Sequence, residues 1–196
     1  MAYISFQPSD FFNTKLYTGN SSTNAITGVG FQPDFTWLKK RNGVDGHNLF
    51  DTVRGATKVI QSSSSNAEST EATKLQSWQS DGFTLGNNAV VNGSFNFASY
   101  NWKAGTTSGK TTSGETITPT AYSINATSGF GIYAWDGYTG GAGNNESTGV
   151  IAHGLNSAPK YFVVKRLDGL GSWYGGGSVL TSGDYIIYLN DGGDPQ

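Results

Sequence analysis

Apolar and aromatic residues recur along this chain in short runs, each cut off by Gly, Ser, Asn and Asp clusters. Runs of that length with such boundaries predict short antiparallel strands rather than helices. In the first half they fall at residues 15–18, 25–27, 34–41, 47–50, 57–60, 82–85 and 97–103. In the second half they fall at 115–125, 130–135, 149–152, 160–166, 173–180 and 185–190. Asn42-Gly43 supplies a turn directly after the 34–41 run. Trp37, Trp78 and Trp102 alternate with polar neighbours, the spacing of core-facing strand positions. Residues 62–73 are polar and fit a short helix or an exposed loop. Residues 104–113 are small and polar throughout, a flexible connection by composition.

One run comes back. Gly30-Phe31-Gln32-Pro33-Asp34, followed by Phe35-Thr36-Trp37-Leu38-Lys39-Lys40-Arg41, returns as Gly154-Leu155-Asn156-Ser157-Ala158-Pro159-Lys160 and Tyr161-Phe162-Val163-Val164-Lys165-Arg166. Aligning Pro33 with Pro159 sets His47-Asn48 opposite Trp173-Tyr174, and Tyr17-Thr18-Gly19 roughly opposite Trp135-Asp136-Gly137. An internal repeat outranks other fold signals, because overlooking it misassigns the architecture. The second copy stops before any equivalent of Trp78 or of residues 98–103, so the expectation is one full and one partial repeat. Residues 1–13 read as an extended N-terminal arm, 14–105 as the first β repeat, 106–114 as a polar linker and 115–196 as the second, incomplete repeat, which either packs with the first as one sandwich or belongs to a longer chain.

Composition agrees with an all-β reading and narrows the partners. Gly makes up 28 of 196 residues and only 13% are charged, so material for long helices is scarce. The fold class expected is an antiparallel β-sandwich of jelly-roll or lectin-like type. A net charge of −2 offers no broad basic face, which argues against nucleic-acid binding by phosphate neutralisation. Cys is absent, removing disulfides and thiolate metal sites. The N-terminus carries no signal-peptide pattern and no segment approaches the roughly 20 apolar residues of a membrane span, so a soluble, unexported or lysis-released protein without membrane insertion is expected. The sequons at Asn20, Asn92, Asn125 and Asn145 carry little weight without an export signal.

Tyr17-Thr18-Gly19-Asn20 and Ile26-Thr27-Gly28-Val29-Gly30-Phe31-Gln32-Pro33-Asp34-Phe35-Thr36-Trp37 resemble repeats of virion structural and tail-fibre proteins of bacteriophages, of the marine phage type. The likeness extends through Asp51-Thr52-Val53-Arg54-Gly55-Ala56-Thr57-Lys58, Ser80-Asp81-Gly82-Phe83-Thr84 and Tyr100-Asn101-Trp102-Lys103-Ala104-Gly105. His153-Gly154-Leu155 with Ala158-Pro159-Lys160 looks like the start of a next repeat. The resemblance covers most of the chain and departs from the pattern towards the C-terminus. It implies a particle component assembled in the host cytoplasm and brings no catalytic motif.

Candidate chemistry is sparse. Gly105-Thr106-Thr107-Ser108-Gly109-Lys110-Thr111 imitates a phosphate-binding loop, but is one residue short between the glycines and runs into poor helix material. His47 and His153 lack companions at metal-ligand spacing, and no Gly-x-Ser-x-Gly nucleophile elbow occurs. Glycan cleavage would need two opposed carboxylates about 5–9.5 Å apart. Asp34, Asp45, Asp51, Asp81, Asp136 and Asp168 are the stock for it, yet four of them precede Gly in turn dipeptides and Asp51 is placed to pair with Arg54.

Glycan binding without cleavage needs only exposed rings and nearby hydrogen-bonding groups. Trp173 and Tyr174, set among glycines that would leave their rings uncovered, are the first candidates, against the alternative that Trp173 is core or subunit contact. Trp135, Asp136 and Tyr138 come next. Tyr3, Phe6, Phe11 and Phe12 make the arm a partner-binding element, clamped on its own sandwich or added to an exposed sheet edge. The function expected is non-enzymatic, with no cofactor and no metal. It is a virion structural protein, a tail-fibre or surface-projection module for host polysaccharide attachment that contacts other virion proteins and forms a homo-oligomer, with a trimer the expected form. The alternatives are a capsid decoration or cement protein and a glycan depolymerase domain.

Overall fold

The computed structural model describes residues 7–137, 149–177 and the backbone of 187–188. A 3-10 turn at Pro8–Asp10 leads into β1 (Phe12–Thr18), and strands then follow almost without helix: β2 (Asn24–Thr27), β3 (Phe35–Lys40), β4 (Asn48–Asp51), β5 (Lys58–Val59), β6 (Ser69–Thr70), β7 (Leu75–Gln79) and β8 (Gly82–Leu85). A single turn of helix, α1 (Ala89–Asn92), precedes β9 (Asn96–Trp102). Then come β10 (Ala121–Asn125), β11 (Phe130–Ala134), β12 (Phe162–Lys165), β13 (Trp173–Gly176) and β14 (Ile187–Tyr188). The expected all-β class holds, with every described strand pair antiparallel and a sandwich-like arrangement of several sheets.

Two sheets form the first core. One has the order β1-β9-β3-β4 and the other β2-β8-β7. Alternation in β3 sends Thr36, Leu38 and Lys40 to one face, all buried, and leaves Phe35 and Trp37 half-buried on the other. Leu38 and Phe50 of the first sheet meet Ile26, Leu75, Phe83 and Leu85 of the second, with Val59 and Val91 closing the sides. Each such side chain contributes about 1.5–3 kcal/mol on burial. Buried polar side chains of the first sheet pair with one another and with backbone, Thr36 Oγ1 donating to Asn101 Oδ1 at 3.0 Å and Asn101 Nδ2 to the Asn13 carbonyl at 3.1 Å.

The helix α1 was not foreseen from the apolar pattern, being a single turn. Its cause is local: the Asn88 side chain accepts from the Val90 N–H as an N-cap. Asn92 at its end is fully buried, donating to the Ser22 and Gly86 carbonyls and accepting from the Asn20 N–H. Its sequon is therefore inaccessible in the fold. Strand β7 was also missed, because its Gln, Ser and Trp content hides the alternation.

The second half lies on the other face of β3. Phe130 of β11 packs edge-on against Phe35 at 6.2 Å and stacks with Trp102 at 6.0 Å. Buried Asp34 bonds both halves, accepting from Thr52 Oγ1, the Ala104 N–H and Ser123 Oγ. The connection expected to be flexible is tied down instead. Thr106 pairs with Ile124 as an isolated bridge, and Lys110 and Glu115 form a buried ion pair at 2.5 Å. Residues 149–152 make no strand, although the Val150 carbonyl accepts from Thr116 and Ile117.

The two look-alike runs have a common geometry and different settings. β3 and β4 pair with Thr36 opposite Phe50 and Leu38 opposite Asn48. β12 and β13 pair with Phe162 opposite Gly176 and Val164 opposite Tyr174, the same register once Pro33 is set on Pro159. Gly28 and Gly154 coincide in that alignment and share the left-handed backbone, φ 78° and 69°. Yet among the described strands β3 is an inner strand and β12 an edge strand. The likeness is thus a property of the hairpins, and beyond them the two halves diverge.

Candidate functional site

Both hairpins end at the same place, either side of residues 61–68. In the first, β3 passes through Arg41-Asn42-Gly43-Val44-Asp45-Gly46-His47 into β4. Gly46 stands so near this segment that an added Cβ would lie 2.9 Å from Ser63 Oγ. In the second, the Gly171 N–H donates to the Ser65 carbonyl at 2.9 Å and the Leu167 carbonyl accepts from the Glu68 N–H. Lys165 Nζ adds a bond to the Ser65 carbonyl. The two loops and the strip between them make one continuous pole.

Each loop raises an aliphatic residue at its tip and folds a basic side chain beneath. Val44 is fully exposed at 102% and its counterpart Leu170 is 73% exposed. Gly43 leaves room for the Lys40 stem and Gly169 for the Arg166 guanidinium, contacts a Cβ would block. Lys40 pairs with Asp45 and lies 3.8 Å over the Phe95 ring, whereas Arg166 pairs with Asp168 at 2.7 Å. The Arg166 bond holds the Asp168 carboxyl below its ordinary range.

Trp173 is the floor of this pole and not its surface. It is 3% exposed, packed with Leu49 and Ile60, and its indole N–H donates to the Gln61 and Ser64 carbonyls. The neighbouring glycines bring the backbone close rather than baring the ring, so the expectation of an exposed indole is corrected. Tyr174, on the opposite face of β13, is 42% exposed. Trp135 is half-buried at the end of β11 and Asp136 is exposed, on a different hairpin from Trp173. Tyr138 lies outside the described residues, as do Tyr3 and Phe6 of the arm. Phe12 does not belong to a free arm: it opens β1 opposite Trp102, the rings 4.7 Å apart, and Phe11 is half-buried before it.

The remaining candidates have structural partners. His47 Nδ1 accepts from the Trp37 indole at 2.7 Å, and burial followed by the nearby Lys39 charge lowers its pKa, keeping it neutral. His153 Nδ1 accepts from the Leu155 N–H. Asp51 pairs with Arg54 at 2.6 Å, and Arg54 also reaches Glu68. Asp81 accepts from the Gly30 and Gly28 amides, which lower its pKa. The phosphate-loop look-alike lines a pocket of about 340 Å³ with Ile124 and Leu155, but the Lys110 ammonium there is held by Glu115. No group of three or more His, Cys, Asp or Glu that could hold a metal occurs among the described residues.

Sequence reading missed the strip at residues 61–68 as the bridge between the loops, and Asp34 as the bond between halves. A Pro-Asp step ahead of a strand signals a turn and nothing of a partner 89 positions away. No curated protein and no solved structure matches the chain. Residues 7–196 match the model of a domain of unknown function, DUF7483, and with nearly the whole chain matched the protein belongs to that family.

Proposed function

We propose that this chain is a non-enzymatic structural module of a bacteriophage particle, a tail-fibre or surface-projection element that presents the hairpin pole to host surface polysaccharide. The observation that carries the reading is the pair of like-registered hairpins, which raise Val44 and Leu170 on the two sides of one serine-rich strip. A rigid platform with apolar tips and many hydroxyl and carbonyl groups suits a saccharide, whose C–H faces and hydroxyls alternate. Support also comes from the resemblance of residues 17–37 to phage structural repeats, and from the structural engagement of five of the six candidate aspartates. The shared register is what supports descent of the two hairpins from one repeat.

The test is adsorption of purified protein to host envelope polysaccharide. Val44→Asp with Leu170→Asp should abolish adsorption while leaving the melting temperature unchanged, since exposed substitutions shift stability by only about 0.5 kcal/mol. Undiminished adsorption by the double variant would sink the reading. Capsid decoration is the second reading, favoured by the exposed apolar strip Tyr161, Phe162 and Val163. Electron microscopy of intact particles separates the two, by density on the tail or over the shell.

A further inference from the structure

The edge strand β12 differs from its inner counterpart in one respect with consequences for assembly. β3 has β4 on one side and β9 on the other, with Phe35 opposite Trp102 and Lys40 opposite Phe97. β12 has β13 on the matching side, and no described strand pairs with its other edge. Tyr161, Phe162 and Val163 are 47%, 51% and 44% exposed there, where the matching Phe35, Thr36 and Trp37 are half-buried or buried. An open edge with apolar side chains on both faces is a template for strand addition.

Charge selects what can add. Lys160 precedes β12, and Lys165 and Arg166 close it. Two copies of β12 paired antiparallel about Val163 would set Lys160 opposite Arg166 of the second copy, an unfavourable like-charge pair. The strand that fits β3, β9, has no charged residue from Asn96 to Trp102. Uncharged stretches recur elsewhere in the chain, and one of them leads through the Pro8–Asp10 turn into β1. Ala2-Tyr3-Ile4-Ser5-Phe6-Gln7 carries no charged side chain, and as an added strand it would put Ala2, Ile4 and Phe6 on one face and Tyr3, Ser5 and Gln7 on the other. Gln7 is extended, φ −96° and ψ 141°, where the segment meets the Pro8–Asp10 turn. That turn feeds β1, at the sheet edge opposite β4, and β4 is the side on which Trp173 docks.

We propose that residues 2–7 of one copy add as an antiparallel strand to the open edge of β12 in a second copy, taking the place that β9 holds on β3. The contact is heterologous, donor on one copy and acceptor on the next, so it builds rings or filaments rather than an isolated pair. It stands independently of host attachment.

The experiment uses the whole chain, a variant lacking residues 2–6, and Val163→Lys, with Phe162→Ser as a second acceptor variant should the lysine disturb folding. Light scattering gives the assembly state, and hydrogen exchange followed by mass spectrometry reports on residues 161–165. The intact chain should self-associate with these amides protected. Either change should give monomers in which they exchange at least about tenfold faster. Mixed together, the arm-deleted chain (acceptor intact) and Val163→Lys (donor intact) should form a complex. A monomeric intact chain overturns the proposal, whether or not residues 161–165 are protected. So does an arm deletion that changes neither size nor exchange, or a failure of the two variants to associate.

Discussion

The hairpins β3–β4 and β12–β13 are built on one plan and put to different use. Both follow a proline, both turn through a loop with a glycine under a basic side chain, and both pair in the same register. The first is held from all sides: β9 flanks it, the β2-β8-β7 sheet covers one face and Phe130 and Trp173 cover the other. The second is held mainly through its loop and Trp173. Position by position, Phe50 becomes Gly176, His47 becomes Trp173 and Asp34 becomes Lys160. The same hairpin therefore serves as a core element where its large residue points inward, and as an attached flap where that residue is glycine and a tryptophan replaces the histidine. Register is a local property of turn and strand, whereas stability comes from what the faces meet.

The comparison can be broken most severely at Phe50. Phe50→Ala empties a fully buried site shared by both sheets, and urea denaturation should show a loss of about 3–5 kcal/mol. Gly176→Ala, at the matching position, would meet the Phe162 ring 2.7 Å from the new Cβ, and should loosen only the second hairpin. A global loss as large as that of Phe50→Ala would show the hairpins to be energetically equivalent. Next comes Asp34→Ala, which strands the buried Ala104 N–H and Ser123 hydroxyl. The expected cost is about 2–3 kcal/mol, with protection lost at residues 104–106 and 123–124 before the first core melts.

Trp173→His places the first hairpin's residue in the second. It removes apolar area and the bonds to the Gln61 and Ser64 carbonyls. A cost of about 2 kcal/mol and faster hydrogen exchange at residues 61–68 are expected, with the β1-β9-β3-β4 sheet unchanged. The smallest effect is in pH. His47 has its pKa lowered by burial, below its ordinary 6.5, so the unfolded chain binds the proton more readily. Stability is complete above that value and falls as pH drops through the folded pKa. The melting temperature should therefore decline modestly from about pH 7 to about pH 5. His47→Asn should flatten that decline. Glu115, held below its ordinary 4.5 by Lys110, adds a second fall in acid with the same sign.

Much of the first hairpin could be read in advance. The alternation at residues 34–41, the Asn42-Gly43 turn and the run at 47–50 name β3 and β4 to within a residue or two, and 82–85 coincides with β8. The site was less legible. Glycines around Trp173 suggested an uncovered ring, yet Gly175 and Gly176 are themselves buried and the indole turns inward to cap carbonyls of a loop 109 and 112 residues away. The small, polar composition of residues 104–113 suggested flexibility, and only folding brings Glu115 against Lys110 to hold the segment.

Pattern and turn chemistry by themselves determined that this chain is all β, where its first hairpin turns and that a similar run recurs at residues 154–166. These depend on neighbours in sequence, which the period-two alternation and backbone preferences report directly. Tertiary structure alone decided which hairpin is enclosed and which lies at an edge among the described strands, where Trp173 points and which aspartate bonds the halves together. Those outcomes depend on contacts between residues far apart in the chain, and local sequence carries no record of them.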